Sequence, residues 1–104
     1  MAYMSNTKKR PKTDFIAVHC SATAKQDIGA ADIDKWHRKN GWACIGYHYV
    51  IRRNGTVEEG RDEGVIGAHV AGFNENSIGI CMVGGVSADD ISKAENNFTK
   101  EQFA

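Results

Sequence analysis

Apolar and polar positions alternate along this chain in short blocks, and each block predicts one element. Asp14-Phe15-Ile16-Ala17-Val18-His19 is an apolar run rich in strand formers, read as a buried strand with His19 at its C-terminal end. Residues 30–40 read as a helix, because Ile33, Trp36 and His37 recur at i, i+3, i+4. Its acidic residues come early and its basic ones late, as the helix dipole favours, and Gly41 supplies a left-handed stop. Residues 47–53 predict a second strand, turned by Asn54-Gly55 in a type I′ geometry into a return strand at Thr56-Val57-Glu58. A glycine-rich irregular stretch follows over 60–76. Residues 77–83 are apolar on both faces, which places that strand centrally in its sheet, ended by Gly84-Gly85.

The last residues predict a helix start. Thr99-Lys100-Glu101-Gln102 has the S/T-x-x-E/Q form of a capping box, and Phe98 and Phe103 occupy the positions of a hydrophobic staple. Such a helix needs several turns to be stable, so the chain is expected to be truncated one turn into it. The isolated chain is then expected to be poorly soluble, molten or oligomeric. Residues 1–13 read as a polar tail whose Lys8, Lys9, Arg10 and Lys12 are solvated, and 14–104 as the N-terminal part of one domain.

Composition narrows the function. Thirteen basic residues balance thirteen acidic ones, which argues against a nucleic-acid binder. No apolar run is long enough for a membrane span, and the N-terminus lacks an apolar signal core. The odd set Cys20, Cys44 and Cys81 argues against a disulfide framework, pointing to synthesis in a reducing cytoplasm.

Candidate chemistry centres on four histidines, His19, His37, His48 and His69, none at a local metal-binding spacing. His37 reads as a packed or hydrogen-bonded helix histidine. His19, at the end of an apolar strand, is the best metal-ligand candidate, with a structural role open. Tyr47 reads by default as a strand aromatic that packs. His69, in a glycine-rich loop, could line a site. Ser21 offers a remote serine-nucleophile reading, and Glu58, Glu59, Asp62 and Glu63 a remote carboxylate-pair reading; solvated hairpin charges are the simpler account of the latter. Nucleotide-binding and serine-hydrolase signatures are absent.

Taken in order, the motifs resemble the T7-type phage lysozymes, zinc-dependent N-acetylmuramoyl-L-alanine amidases related to peptidoglycan recognition proteins. The resemblance runs from Val18-His19-Cys20-Ser21-Ala22-Thr23 through Trp36-His37, Gly41-Trp42, Gly46-Tyr47-His48-Tyr49, Arg53-Asn54-Gly55-Thr56-Val57-Glu58 and Gly60-Arg61-Asp62-Glu63. It continues over Gly67-Ala68-His69 and Gly72-Phe73-Asn74-Glu75-Asn76-Ser77-Ile78-Gly79-Ile80 to Val83-Gly84-Gly85. It implies an α/β fold, a mixed β-sheet flanked by helices, incomplete at the C-terminus. It implies that His19 is a zinc ligand, that Tyr47 is catalytic, and that His69 and Asn74 belong to the groove receiving the muramyl peptide. The remaining ligands, a second histidine and a cysteine, are implied to lie with a catalytic lysine in a C-terminal segment beyond this chain. The complete protein is therefore expected to cleave the bond between N-acetylmuramic acid and L-alanine, made in the cytoplasm and acting on the cell wall. This chain alone is expected to be inactive; the alternative is a non-catalytic peptidoglycan-binding module.

Overall fold

The computed structural model describes residues 8–103. Its elements are β1 (Phe15–Cys20), α1 (Ala30–Lys39), β2 (Tyr49–Ile51), β3 (Val57–Glu59), β4 (Ser77–Met82) and α2 (Lys100–Phe103), with a 3₁₀ turn at Asn74–Asn76. One four-stranded sheet runs in the order β1-β4-β2-β3. β4 is parallel to both β1 and β2, and β3 returns antiparallel to β2, so the sheet is mixed.

The central place expected for β4 is the one it occupies. Its alternate residues Ser77, Gly79 and Cys81 are buried, and Ile78, Ile80 and Met82 are half-buried. On the better-covered side, Ala30 and Ile33 of α1 join Ile45, Val50, Cys81 and Val83 in one core cluster, with Tyr47 and Ile28 against it. Gly84 and Gly85 both take positive φ and end the strand.

β1 departs from the expectation of a buried strand. It is the outer strand of the sheet, and Phe15, Ile16 and Val18 are more than half exposed. An apolar run reads as buried from sequence alone, but edge position is decided by strand order. This edge carries no proline and no charge between Phe15 and Cys20. With Val57 and Phe103 also exposed, it predicts self-association. Sedimentation should show concentration-dependent oligomers that Val18→Lys reduces; a strict monomer at high concentration would contradict this.

The hairpin also differs. Asn54 does not take positive φ while Gly55 does, at +87°. Gly55 N–H donates to the Arg52 carbonyl and Arg52 N–H to the Thr56 carbonyl. The turn is therefore a three-residue loop with glycine at the left-handed position, not a type I′ turn. Strand β2 is shorter than 47–53, although antiparallel pairing continues behind it through Gly60 N–H to His48 O and Arg61 N–H to Tyr47 O.

Three terminal signals match the geometry. Gly41 has φ +92° just past α1. The Thr99 and Gln102 pair closes reciprocally, Thr99 N–H to Gln102 Oε1 at 2.8 Å and Gln102 N–H to Thr99 Oγ1 at 3.2 Å. The Phe98 and Phe103 rings meet edge to face at 6.3 Å. The start of α1 is capped from a distance: Glu58 Oε1 accepts from Ala30 N–H at 2.8 Å, so Glu58 is not the free hairpin charge expected. The first seven residues of the expected tail lie outside the described part. Residues 8–10 are not free in solvent: Arg10 N–H donates to Gly64 O, and Ile66 N–H to Lys8 O.

Candidate functional site

β1 and β4 lie side by side in parallel, with His19 level with Cys81. The segment 44–48, entering β2, runs beside β4, where His48 N–H donates to Gly79 O at 2.8 Å, and the loop 67–76 leads into β4 with Ala68 N–H donating to Gly46 O at 3.0 Å. Three sequence-distant side chains meet there. The Tyr47 ring lies 5.4 Å from the His19 ring and 6.5 Å from that of His69. His19 Nε2 and His69 Nδ1 are 3.0 Å apart. The structure thus gathers His19, Tyr47 and His69 on one face of the sheet.

Asn74 braces the loop that carries His69. Its Oδ1 accepts from both His69 N–H and Val70 N–H at 2.8 Å, tying the loop together and fixing the backbone that carries His69. Gly79 gives the His69 ring its room, since a Cβ there would lie 2.5 Å from the imidazole. Beyond His69 the groove opens into an apolar depression of about 300 Å³ lined by Phe15, Ala17, Val70, Phe73 and Ser77.

Four further side chains shape this region, and the first of them is the packed, hydrogen-bonded helix histidine that the sequence leads one to expect. His37 lines this region: its Nδ1 accepts from Gly46 N–H at 2.9 Å, and its ring lies 5.6 Å from Tyr47. Trp42, close to half exposed, packs on His37 at 4.4 Å. Asp34 is buried and accepts from Ile45 N–H at 2.8 Å and from Arg38 at 2.8 Å. Arg61 is buried with its guanidinium on the carbonyls of Ile45, Ile66 and Cys44. Asp34 and Arg61 together hold the segment leading to Tyr47. Asp34 stood out only by its i,i+4 spacing from Arg38, and Trp42 and Arg61 only through the Gly41-Trp42 and Gly60-Arg61 motifs.

The remaining candidates are engaged elsewhere. Ser21 Oγ accepts from Gly84 N–H at 2.9 Å and lies 2.6 Å from the Thr23 hydroxyl, stitching the end of β1. His48 is buried, with Nδ1 accepting from Gly79 N–H and Nε2–H donating to Val65 O. Glu63 accepts from the Tyr49 hydroxyl at 2.8 Å. Cys81 is fully buried, as a small core residue should be.

Burial sets the electrostatics. It pushes the Tyr47 phenol up to about 12, helped by the neighbouring Cys81 and Cys20 thiols, so Tyr47 keeps its proton at neutral pH and acts as a donor. It pushes the Cys81 thiol up to about 12 as well. Burial first, then the neighbouring His19, brings His69 down to about 4, and burial lowers His19, His37 and His48 too. The folded chain therefore prefers all four imidazoles neutral.

That preference predicts acid sensitivity. An unfolded histidine titrates near pH 6.5. Below that the unfolded chain takes up protons that the folded chain refuses, so stability is full above pH 6.5 and falls with pH. The loss runs down to about pH 4, where folded His69 titrates. His69 alone should account for on the order of 2 kcal/mol, after discount for its partial exposure. Urea midpoints of the metal-free protein at pH 7.5 and 4.5 check this; equal midpoints would remove it.

A metal is not excluded by this electrostatics, since neutral imidazoles are the ligating form. His19 sits on a rigid strand end with Nε2 facing a second imidazole nitrogen, a donor pair that suits zinc. Among the described residues, however, no group of three or more His, Cys, Asp or Glu side chains is gathered to hold an ion. No helix among them is long and apolar enough to cross a membrane.

The fold and this groove define an amidase-type domain, and the chain belongs to the N-acetylmuramoyl-L-alanine amidase family, which matches residues 8–104. The endolysin of Escherichia phage T7 is 52% identical over 97 residues, covering 92% of this chain and 63% of the relative. The chain thus spans a little under two thirds of that relative's length. Among solved structures, the N-acetylmuramoyl-L-alanine amidase LysC from Clostridium intestinale URNW superposes with a TM-score of 0.78 at 27% identity, over 96% of this chain and 62% of LysC. Peptidoglycan recognition protein-LE, solved in complex with tracheal cytotoxin, a monomeric diaminopimelic acid-type peptidoglycan, gives 0.66 at 25% identity, over 83% of this chain and 54% of that one. The mixed sheet with flanking helices expected from the sequence is the fold these structures share.

Proposed function

We propose that this domain carries the groove of a peptidoglycan hydrolase that cleaves the amide between N-acetylmuramic acid and L-alanine, acting on the bacterial cell wall. The observation that carries the reading is the meeting of His19, Tyr47 and His69 on one sheet face in a chain of the amidase family. The likeness to a recognition protein solved with a monomeric peptidoglycan supports muramyl peptide as ligand.

His19 is the proposed zinc ligand. A zinc ion held there supplies Lewis-acid polarisation of the scissile carbonyl. The chain's own residues do the rest. Tyr47, protonated at neutral pH, donates a hydrogen bond to the oxygen on which charge develops. Its position comes from Arg61 N–H on the Tyr47 carbonyl and from the Asp34 and Arg61 clamps behind it. The loop carrying His69, braced by Asn74, forms the opposite wall, and the apolar depression beside it excludes water from one flank.

A second reading has its own support. With no third ligand gathered among the described residues, this length of chain is suited to binding muramyl peptide without cutting it. Purified peptidoglycan incubated with the protein and zinc separates the two. New N-terminal L-alanine, without new reducing sugar, marks amidase action. Sedimentation with the wall but no new amine marks the binding module. Neither binding nor release overturns both.

A further inference from the structure

His48 is the one fully buried histidine of the four, and its side chain touches both the strand and the segment that frame the His69 wall. We propose that His48 is a positioning residue for the muramyl-peptide groove, holding His69 in place from behind. This rests on the reading of the groove as the peptide site and adds to it a residue that never meets the peptide.

The grip on β4 comes first. His48 N–H donates to the Gly79 carbonyl at 2.8 Å, and Gly79 N–H donates back to His48 Nδ1 at 2.9 Å. Regular β2–β4 pairing begins only at Tyr49 and Ile80, so the His48 ring supplies the acceptor that the ladder does not. Both bonds close on one residue, and Gly79 is the residue whose missing Cβ leaves room for the His69 ring.

Contact with His69 comes second. Gly67 is buried, and a Cβ on it would lie 2.6 Å from His69 Cδ2 and 2.9 Å from His48 Cε1. The two rings thus converge on one glycine, edge to face, with centroids 5.7 Å apart and planes at 79°. His69 cannot draw back from the groove without meeting His48, and close-packed interiors transmit such contacts.

The proton on the ring comes third. Gly79 N–H occupies Nδ1, so the neutral ring carries its proton on Nε2 and gives it to the Val65 carbonyl at 2.8 Å. Burial keeps the ring neutral against the pull of that carbonyl, with Arg10 and Arg61 helping and Glu63 opposing. Arg10 donates to the same Val65 carbonyl at 3.3 Å and to the Glu63 carbonyl, which fixes that stretch of backbone. One imidazole therefore ties β4 to the start of the segment that carries His69. A ring flip breaks both of its bonds, so orientation and tautomer are set together.

The test titrates the 104-residue chain, histidines labelled with ¹⁵N, with N-acetylmuramoyl-L-alanyl-D-isoglutamine in chelator-treated buffer. In the parent, the His69 nitrogens are expected to shift and exchange of the Gly79 amide to slow, since a ligand that selects the held wall strengthens the bond behind it. His48→Phe keeps a ring and removes both side-chain bonds, and its affinity is expected to fall by about tenfold or more. His48→Asn, whose side-chain oxygen still accepts from Gly79 N–H, is expected to recover most of that loss. Val86→Ala, at a buried site in the segment after β4, is expected to lower the thermal midpoint and leave affinity unchanged, which separates positioning from stability. His48→Phe binding as tightly as the parent, equal weakening by Val86→Ala, or Gly79 exchange that ignores bound ligand overturns the proposal and leaves the groove reading intact. A parent that does not bind overturns both. The exchange measurement on the parent decides the matter even if His48→Phe fails to fold.

Discussion

Tyr47→Phe is expected to lower the rate of muramyl–alanine cleavage by about 10²-fold in the hydrolytically competent protein, the usual range for loss of one oxyanion donor or general acid. The substitution removes only the hydroxyl. The ring contacts with His19, His37 and His69 remain, so the fold and the zinc content should not change. The loss should fall on kcat rather than KM, because a donor aimed at developing charge acts mainly in the transition state. The phenol sits high, at about 12, so the rate should show no ionisation of Tyr47 below pH 10. A parent-like rate in the phenylalanine variant would reduce Tyr47 to a packing residue. Loss of zinc along with the rate would make it structural.

Gly46→Ala is expected to unfold the domain or leave it only marginally stable. The added Cβ would run into the Ala68 carbonyl oxygen, a backbone atom that cannot turn aside. That carbonyl belongs to the segment that Gly46 itself pairs with, since Ala68 N–H donates to Gly46 O at 3.0 Å. On the other side, Gly46 N–H is held by His37 Nδ1 at 2.9 Å. Moving Gly46 away breaks both bonds and displaces its neighbour Tyr47. Overpacking of this kind costs about 1–3 kcal/mol, and each buried polar group left unpaired about 1–3 more. The sum is comparable to the 5–15 kcal/mol that holds a domain together. A parent-like thermal midpoint for Gly46→Ala would show that the two segments separate easily. Gly41→Ala is the comparison: nothing lies within 4 Å of its Cβ position, and only its positive φ opposes the change, so its cost should be smaller.

Both predictions concern places where two stretches of chain meet, and such places divide what the sequence determined from what it did not. The Thr99 and Gln102 box, the Phe98 and Phe103 staple, the stop at Gly41 and the end of β4 at Gly84-Gly85 were all legible. Each depends on sterics and hydrogen bonds within about five residues, which are written locally. The central position of β4 was legible for a related reason: a strand apolar on both faces is costly anywhere else. The Asn54-Gly55 turn was half legible. Gly55 had to bend the chain, but the turn type depended on Asn54, whose φ the neighbouring pairing decided.

The site belonged mostly to the other side of that division. His19 and Tyr47 entered as candidates through the ordered motifs, but their approach to His69 exists only because parallel pairing sets β1 against β4. That the Asn74 side-chain carbonyl braces the loop carrying His69 could not be read from the motif. Glu58, expected in solvent, caps a helix 28 residues earlier. Arg61 was visible only within a motif and Asp34 only by a helix spacing, neither of which shows their hold on the approach to Tyr47. β1, apolar enough to read as buried, lies at the edge. A residue's type limits which bonds it can make, and its near neighbours limit its backbone. Which distant groups arrive to complete those bonds is set by strand order and crossover, and only the tertiary structure decides that.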